Sequence, residues 1–294
     1  MKFGAIDIGS NGVRLLIARP LDLEILKPEW KKVEFTRLPL RLGDDVFSTK
    51  EISKKKSELL EKAIKAFALL MDIYNVDVCR ACATSAMRDA KNSKELIKKI
   101  KKESGIEIEI ISGNEESSLI MNSFIHLLPK KQTFLHVDVG GGSTELTLIQ
   151  DNKPVIARSF NIGTVRIREK KIKTKDIADM HLWLKEHISW IPNLKGVGTG
   201  GNIHKICELA NVSEFGFIKL KKLRELTEDI EAMDQHERVY HLKLNPDRAE
   251  VIDIAGRIYL DIFSETRVDE VMAPFQSLKD GIIQDLWEKH FNTL

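Results

Sequence analysis

The chain opens with two short apolar blocks, "KFGAIDIG" (2–9) and "VRLLIAR" (13–19), separated by the tight polar stretch "SNG". Blocks of that length around such a turn predict two strands joined as a hairpin. A further extended stretch follows around "KKVEFTRLPL" (31–40). In "SKKKSELLEKAIKAFALLMDIY" (53–74) the apolar positions Leu59, Leu60, Ala63, Ile64, Phe67 and Leu70 keep helical spacing, so an amphipathic helix is expected there. A buried strand at 76–83, a helix from the Ser93 cap to Gly105, a strand at 106–112 and a helix from Glu115 to about Leu128 complete the order βββαβαβα.

From residue 133 the pattern begins again. "TFLHVDVGGGSTELTLI" reads as a strand, a glycine-rich turn and a second strand, and "KPVIARSF" (153–160) returns from the "QDN" turn as a third. An offset of 131 residues places Asp7 on Asp138, Gly9 on Gly140, Leu15 on Leu146 and Ile17 on Leu148. The stretches D-I-G-S-N and D-V-G-G-G are then counterparts in one duplicated unit. The reading is an α/β protein of two domains, 1–128 and 129–294, with the final helix 278–294 crossing back to the first.

The chain's 294 residues suffice for two domains with separate cores. A net charge of +2 argues neither for nor against an anionic partner, and the lysine runs at 98–102, 168–175 and 219–224 read as solvated helix faces rather than a nucleic-acid surface. No apolar run approaches the ~20 residues of a membrane span. The N-terminus lacks a signal peptide's long apolar region, so the cytoplasm is the expected compartment. Cys79 and Cys82 form a C-x-x-C without a second pair or a histidine pair at finger spacing, and are read as two buried structural thiols. "MHLWLKEHISWI" (180–191) reads as core, with part of it expected in a dimer face.

The candidate chemistry starts from the two turns. Backbone N–H groups and hydroxyls at such hairpins can wrap a phosphate as a nest, which points to Gly9, Ser10 and Asn11 in the first turn and to Gly140, Gly141, Gly142, Ser143 and Thr144 in the second. Asp7 and Asp138, at the strand ends, are candidate ligands for a divalent cation, foremost Mg²⁺, which favours a few carboxylates with waters and substrate phosphates. Glu145 either orients water or metal or points along its strand to solvent. Two facing hairpins would grip a phosphate chain from both sides, which places the expected site between the domains. "GVGTGG" (196–201) satisfies G-x-G-x-x-G literally but lies far from a domain's first strand, so a dinucleotide site is not expected. Its turn, with Gly200, remains an anion seat at a helix start.

These segments together resemble the exopolyphosphatase / guanosine pentaphosphatase family, within the actin-like ATPase superfold. "AIDIGSNGVRLLIA" looks like that family's first phosphate loop and "HVDVGGGSTELTLI" like its second. "ATSAMRDAKN" (83–92) and "IEIISGNEESSLI" (108–120) resemble the segments that supply an arginine and the catalytic glutamate; "NIGTVRI", "GVGTGGN", "DRAEVI" and "SLKDGII" fit further landmarks. The resemblance implies two duplicated ribonuclease H-like domains around a central cleft, Glu116 as the base that activates water, and Arg88 as a phosphate contact. Read without it, Glu115 and Glu116 complement a helix dipole and Arg88 pairs with a neighbour such as Asp89. Gly12 stands where the family more often has a hydroxyl residue, and the chain stops at Leu294 without the additional C-terminal helical domain of longer members.

The implied activity is release of terminal phosphate from inorganic polyphosphate, guanosine pentaphosphate, or both, with Mg²⁺, by a protein for which the family suggests a homodimer. Two other classes fit the same loops: a small-molecule kinase that uses ATP, and a nucleotide-sensing module without catalysis.

Overall fold

The computed structural model describes residues 1–292, and the chain divides into two compact units. The first comprises Met1–Ser123 and the chain from Gln276 onward; the second is Phe124–Phe275.

The first unit begins with β1 (Phe3–Ile8), β2 (Val13–Pro20) and β3 (Trp30–Leu38), then α1 (Leu42–Thr49) and α2 (Lys54–Ile73). β4 (Val78–Ala83), α3 (Ser85–Asp89), α4 (Ser93–Ser104), β5 (Ile108–Ile110) and α5 (Gly113–Asn122) follow. In the second unit β6 (Phe134–Val139), β7 (Thr144–Gln150) and β8 (Lys153–Phe160) lead to α6 (Thr164–Arg168), α7 (Thr174–His187), β9 (Lys195–Thr199) and α8 (Gly201–Leu209). It ends with β10 (Phe217–Lys219), α9 (Leu220–Ala232), α10 (Gln235–Tyr240), α11 (Pro246–Ala249), α12 (Ile252–Ser264) and β11 (Glu270–Met272). The last helix, α13 (Leu278–Phe291), returns to the first unit; residues 293 and 294 of the helix expected over 278–294 lie outside the described residues.

Both sheets are mixed and share one plan. The first runs β3-β2-β1-β4-β5 and the second β8-β7-β6-β9-β11-β10. In each, an antiparallel meander supplies three strands and two crossovers add strands parallel to the first. This is the ribonuclease H-like order, present twice, with β10 as an extra antiparallel edge. The central strands β1 and β6 are buried at every residue, as expected of strands with neighbours on both sides and covered faces. The edge strand β8 is exposed at most positions. In the second unit the core joins β6 and β7 to Trp183, Leu184, Tyr259 and Phe263 of α7 and α12.

Close backbone approaches set the helix positions. A Cβ on Gly281 of α13 would lie 1.9 Å from the Leu119 carbonyl oxygen of α5, so only glycine admits this crossing. Trp287 of α13 meets Phe3 and Trp30 edge-on, at ring separations of 6.0 and 6.4 Å, and seals the same face of the first sheet.

Several sequence expectations shift here. The helix expected from Glu115 to Leu128 is α5, ending at Asn122, with a 3₁₀ turn at Ile125–Leu127. α1, whose eight residues are too few to show a periodicity, was not expected. Cys79 is exposed rather than buried, because only the last three residues of β4 are covered; Cys82 is buried as expected. In 180–191 Met180, Trp183, Leu184, Ile188 and Ile191 are core, whereas Leu182 and Trp190 face outward.

Candidate active site

In the first unit the turn after β1 closes on itself, with the Gly9 amide donating to the Gly12 carbonyl at 3.1 Å. Its own carbonyls are used by α1: the Gly43 amide donates to Ser10 at 2.8 Å and the Arg41 amide to Asn11 at 3.2 Å. The buried hydroxyls of Ser10 and Ser85 share a hydrogen bond of 2.8 Å, which ties this turn to the start of α3. α3 carries Arg88. Its Nη1 donates to the Ile111 carbonyl at 2.6 Å and faces Glu116 Oε2 at 3.9 Å. One chain of contacts therefore joins the first turn, Arg88 and Glu116. Asp89 pairs with Lys50 at 3.7 Å.

The two adjacent glutamates have separate surroundings. Ser112 caps α5 by accepting from the Glu115 amide at 3.1 Å. The Glu115 carboxylate then pairs with Arg80 at 2.8 Å, in a cluster with Glu109 and Asp285 at 2.8 and 3.0 Å. Hydrogen bonds from Arg80 hold the Glu109 carboxyl below its usual range. The Glu115 side chain is 44% exposed and that of Glu116 only 13%. Glu116 is the one turned inward.

The aspartates differ too. Asp7 sits in register with Arg14 across the β1–β2 ladder and accepts from its Nη1 at 2.7 Å. The counterpart of Arg14 at the 131-residue offset is Glu145, which stands in register with Asp138. Opposed residues of an antiparallel pair project from the same face. The second unit thus places two buried carboxylates side by side where the first has an ion pair. Ser159 of β8 donates to Glu145 Oε1 at 2.7 Å, and Thr199 of β9 donates to Asp138 Oδ1 at 2.6 Å. Oxygen donors of this kind suit a hard cation. Among the described residues no three His, Cys, Asp or Glu side chains are grouped to hold a metal ion by themselves, so a cation here would complete its shell from water and substrate.

The glycine-rich turn is braced from behind by the first turn of α6. The Thr164 amide donates to Gly140 at 3.0 Å, the Val165 and Arg166 amides to Gly141 at 2.9 and 3.1 Å, and Arg166 Nε to the Gly142 carbonyl at 2.9 Å. A Cβ on Gly163 would lie 2.5 Å from the Gly141 and Gly142 backbone, so α6 packs against the turn without a gap. With its carbonyls bound, the turn presents the amides of Gly141 and Gly142, which donate to no acceptor among the described residues. Ser143 and Thr144 are buried beside them, and Thr144 Oγ1 donates to the Ile162 carbonyl at 2.6 Å. Such an array of amides can seat an anion.

Gly200 has φ +108°, which favours glycine, and its Cα approaches Val139 O and Asp138 Oδ1 so closely that a Cβ would stand 3.3 and 3.5 Å from them. Gly196 and Gly198 serve packing: their Cβ positions lie 2.9 Å from Phe263 and 3.0 Å from Ile203. His204 stacks edge-on with Phe275 at 5.4 Å.

Sequence reasoning did not single out Ser85, His136, Arg166, Thr199 or Tyr259. The Tyr259 hydroxyl donates to the Thr199 carbonyl and accepts from the Val139 amide at 3.3 Å, pinning the ends of β6 and β9 together. Burial raises its pKa well above the usual value. His136 is fully buried, which lowers its pKa to about 3, so its ring is neutral. The one available signal was a histidine inside an otherwise apolar strand.

Residues 30–290 match the sequence profile of the Ppx/GppA phosphatase family. The chain belongs to that family. A bifunctional 3-dehydroquinate synthase/phosphatase from Fusobacterium nucleatum is 32% identical over 290 residues, covering 87% of this chain and 42% of that protein. Exopolyphosphatase 1 of Mycobacterium tuberculosis is 32% identical over 168 residues, covering 57% of this chain and 48% of its own. The chain thus spans less than half the length of these curated relatives. Among solved structures, an Aquifex aeolicus Ppx/GppA family member superposes with a TM-score of 0.80 at 24% identity, over 99% of this chain and 98% of that one. An exopolyphosphatase from Cytophaga hutchinsonii gives 0.84 at 22% identity, over 98% of each. At these identities the superpositions establish the Ppx/GppA fold alone. No helix among the described residues is long and apolar enough to cross a membrane.

Proposed function

We propose that this Ppx/GppA family chain hydrolyses phosphoanhydrides, releasing terminal phosphate from inorganic polyphosphate. The observation that carries the reading is Glu116: a shielded carboxylate at the first turn of α5, facing the Arg88 guanidinium at 3.9 Å, on a helix linked through α3 to the first glycine turn. In the proposed step a water oxygen bonds to the terminal phosphorus while the bond to the bridging oxygen breaks. The water proton passes to Glu116, and the shortened chain leaves with the bridging oxygen. Arg88 meets phosphate oxygens, a task suited to a planar guanidinium.

The turn amides of Gly141 and Gly142, with Ser143, hold phosphate in the second unit, and Ser10 and Asn11 do so in the first, where the Gly9 amide is instead closed onto the Gly12 carbonyl. Asp138, with Glu145 beside it, is the cation position we favour over Asp7, because Arg14 already balances Asp7. Mg²⁺ bound there would neutralise charge on the phosphate oxygens. Guanosine pentaphosphate presents the same terminal anhydride and is a second substrate on this reading. The shared family profile and the mycobacterial exopolyphosphatase relatives support the hydrolase class over a kinase or a sensor.

The test is phosphate release from long-chain polyphosphate, with and without Mg²⁺, by the parent and by Glu116→Gln. Loss of a general base is expected to lower the rate by roughly 10²- to 10⁴-fold, with the melting temperature unchanged. An active Glu116→Gln would remove Glu116 from the role. ADP formation from ATP in place of free phosphate would favour the kinase reading.

A further inference from the structure

Behind the carboxylate pair of the second unit lies a hydrogen-bonded line that the proposed hydrolysis does not itself require. His136 precedes Asp138 by two residues on β6, so both side chains leave the same face of the sheet. Thr199, at the end of β9, stands in register with Asp138. Its Oγ1 lies 2.9 Å from His136 Nε2 and 2.6 Å from Asp138 Oδ1.

The donors along this line can be assigned by arithmetic. A threonine hydroxyl has one proton. Asp138 is the acceptor at the far end, so that proton points to Oδ1, and the histidine must then donate from Nε2–H. The neutral ring therefore carries its proton on Nε2, and Nδ1 lies inside the core, with the Phe124 ring 5.2 Å from the imidazole. Hydrogen bonds in such a line polarise one another, and the last one ends on a carboxylate oxygen. The line is rigid: His136 and Thr199 are wholly buried, and Tyr259 fixes the β9 end through the Thr199 carbonyl.

We propose that His136 and Thr199 are positioning residues that fix the orientation of the Asp138 carboxylate for a divalent cation. The inference rests on the reading of Asp138 given under the proposed function. It adds that the orientation of this carboxylate is set from within the sheet by a directional pair of hydrogen bonds, His136 Nε2–H to Thr199 and Thr199 Oγ1–H to Asp138. In the first unit the counterpart Asp7 is held by the Arg14 guanidinium. The two halves of the duplication thus hold their aspartates by different chemistry, a cation in one and a neutral relay in the other.

Three measurements on the full chain test this. Long-range ¹H–¹⁵N spectra of the parent should show His136 as the neutral Nε2–H tautomer; an Nδ1–H ring overturns the assignment. Mn²⁺ titration followed by electron paramagnetic resonance should show affinity about 10- to 100-fold weaker in Thr199→Val, the size of effect seen when the partner of a metal ligand is removed. Thr199→Ser, which keeps the hydroxyl, should restore most of it. His136→Phe should weaken binding in the same direction, and the double variant should bind no worse than Thr199→Val alone, because the line is already cut.

A parent that binds no Mn²⁺, a Thr199→Val or His136→Phe variant that binds it as the parent does, or losses that multiply in the double variant would each overturn the proposal. Polyphosphate hydrolysis is scored separately. A parent inert on polyphosphate whose Mn²⁺ affinity still follows this pattern leaves the relay standing and removes the polyphosphate reading.

Discussion

Adjacent residues in one helical turn can be given unrelated work by their partners. Glu115 is drawn outward by Arg80, whereas Glu116 faces Arg88. Glu115→Gln is therefore expected to leave phosphate release within about 2-fold of the parent and to cost below about 1 kcal/mol, the usual worth of an exposed ion pair. Parallel rate and urea-unfolding measurements check this, and a loss matching that of Glu116→Gln would mean the two roles are exchanged. Both aspartates were legible in the sequence because each stands at the end of a strand before a glycine turn, and the glutamate pair because its segment resembles the family's catalytic one. What distinguishes the members of each pair was not. Arg80, Arg14 and Thr199 reach them across a strand ladder or a helix packing, and no local pattern encodes such neighbours.

At the scale of elements, the strength of the arrangement lies in places where backbones touch. α6 closes on the glycine turn through Gly163, and α13 closes on α5 through Gly281. The second contact positions the helix that carries Glu116. Gly281→Ala must push α13 away from α5, since its Cβ would stand 1.9 Å from the Leu119 carbonyl oxygen. Overpacking of this kind costs about 1–3 kcal/mol, so the melting temperature should fall. Because α5 moves, kcat should drop although no catalytic side chain is changed. Unaltered stability and rate would show that the crossing yields elsewhere.

The amphipathic helix α2 was readable from its periodicity, and both hairpins from short apolar blocks on either side of a tight turn. The short α1, α3 and α6 were not. They persist through contacts with the turns and with neighbouring helices, and a helix of five to eight residues has little stability of its own.

For the whole molecule, one buried group sets an acid limit. The unfolded chain protonates His136 near pH 6.5, whereas burial lowers the native value to about 3. Between those values the unfolded state binds a proton that the native state refuses, so native stability falls as the pH falls below 6.5 and the loss levels off near pH 3. At pH 5 this amounts to about 2 kcal/mol relative to pH 8. Urea unfolding at the two pH values should show that difference in the parent and its absence in His136→Phe. Equal slopes would mean that the ring is charged in the native protein or that the acid loss comes from other groups.

The duplication is the feature of the whole chain that the sequence alone determined. A fixed offset of 131 residues between two D-x-G hairpins predicted two halves of one duplicated unit, because strand periodicity and turn chemistry are local and repeat wherever the residues repeat; that the halves are ribonuclease H-like came from the family resemblance. The phosphate-loop glycines, Asp7 and Asp138 could be named from that turn chemistry, whereas Arg88 and Glu116 were named through the family resemblance of their segments. Tertiary structure alone decided the rest. It moved the end of the first segment to Ser123. It set Arg14 against Asp7 and Glu145 beside Asp138. It brought Thr199 to Asp138 from 61 positions away. These depend on which strands become neighbours and which backbones can touch, and burial, not sequence proximity, determines both.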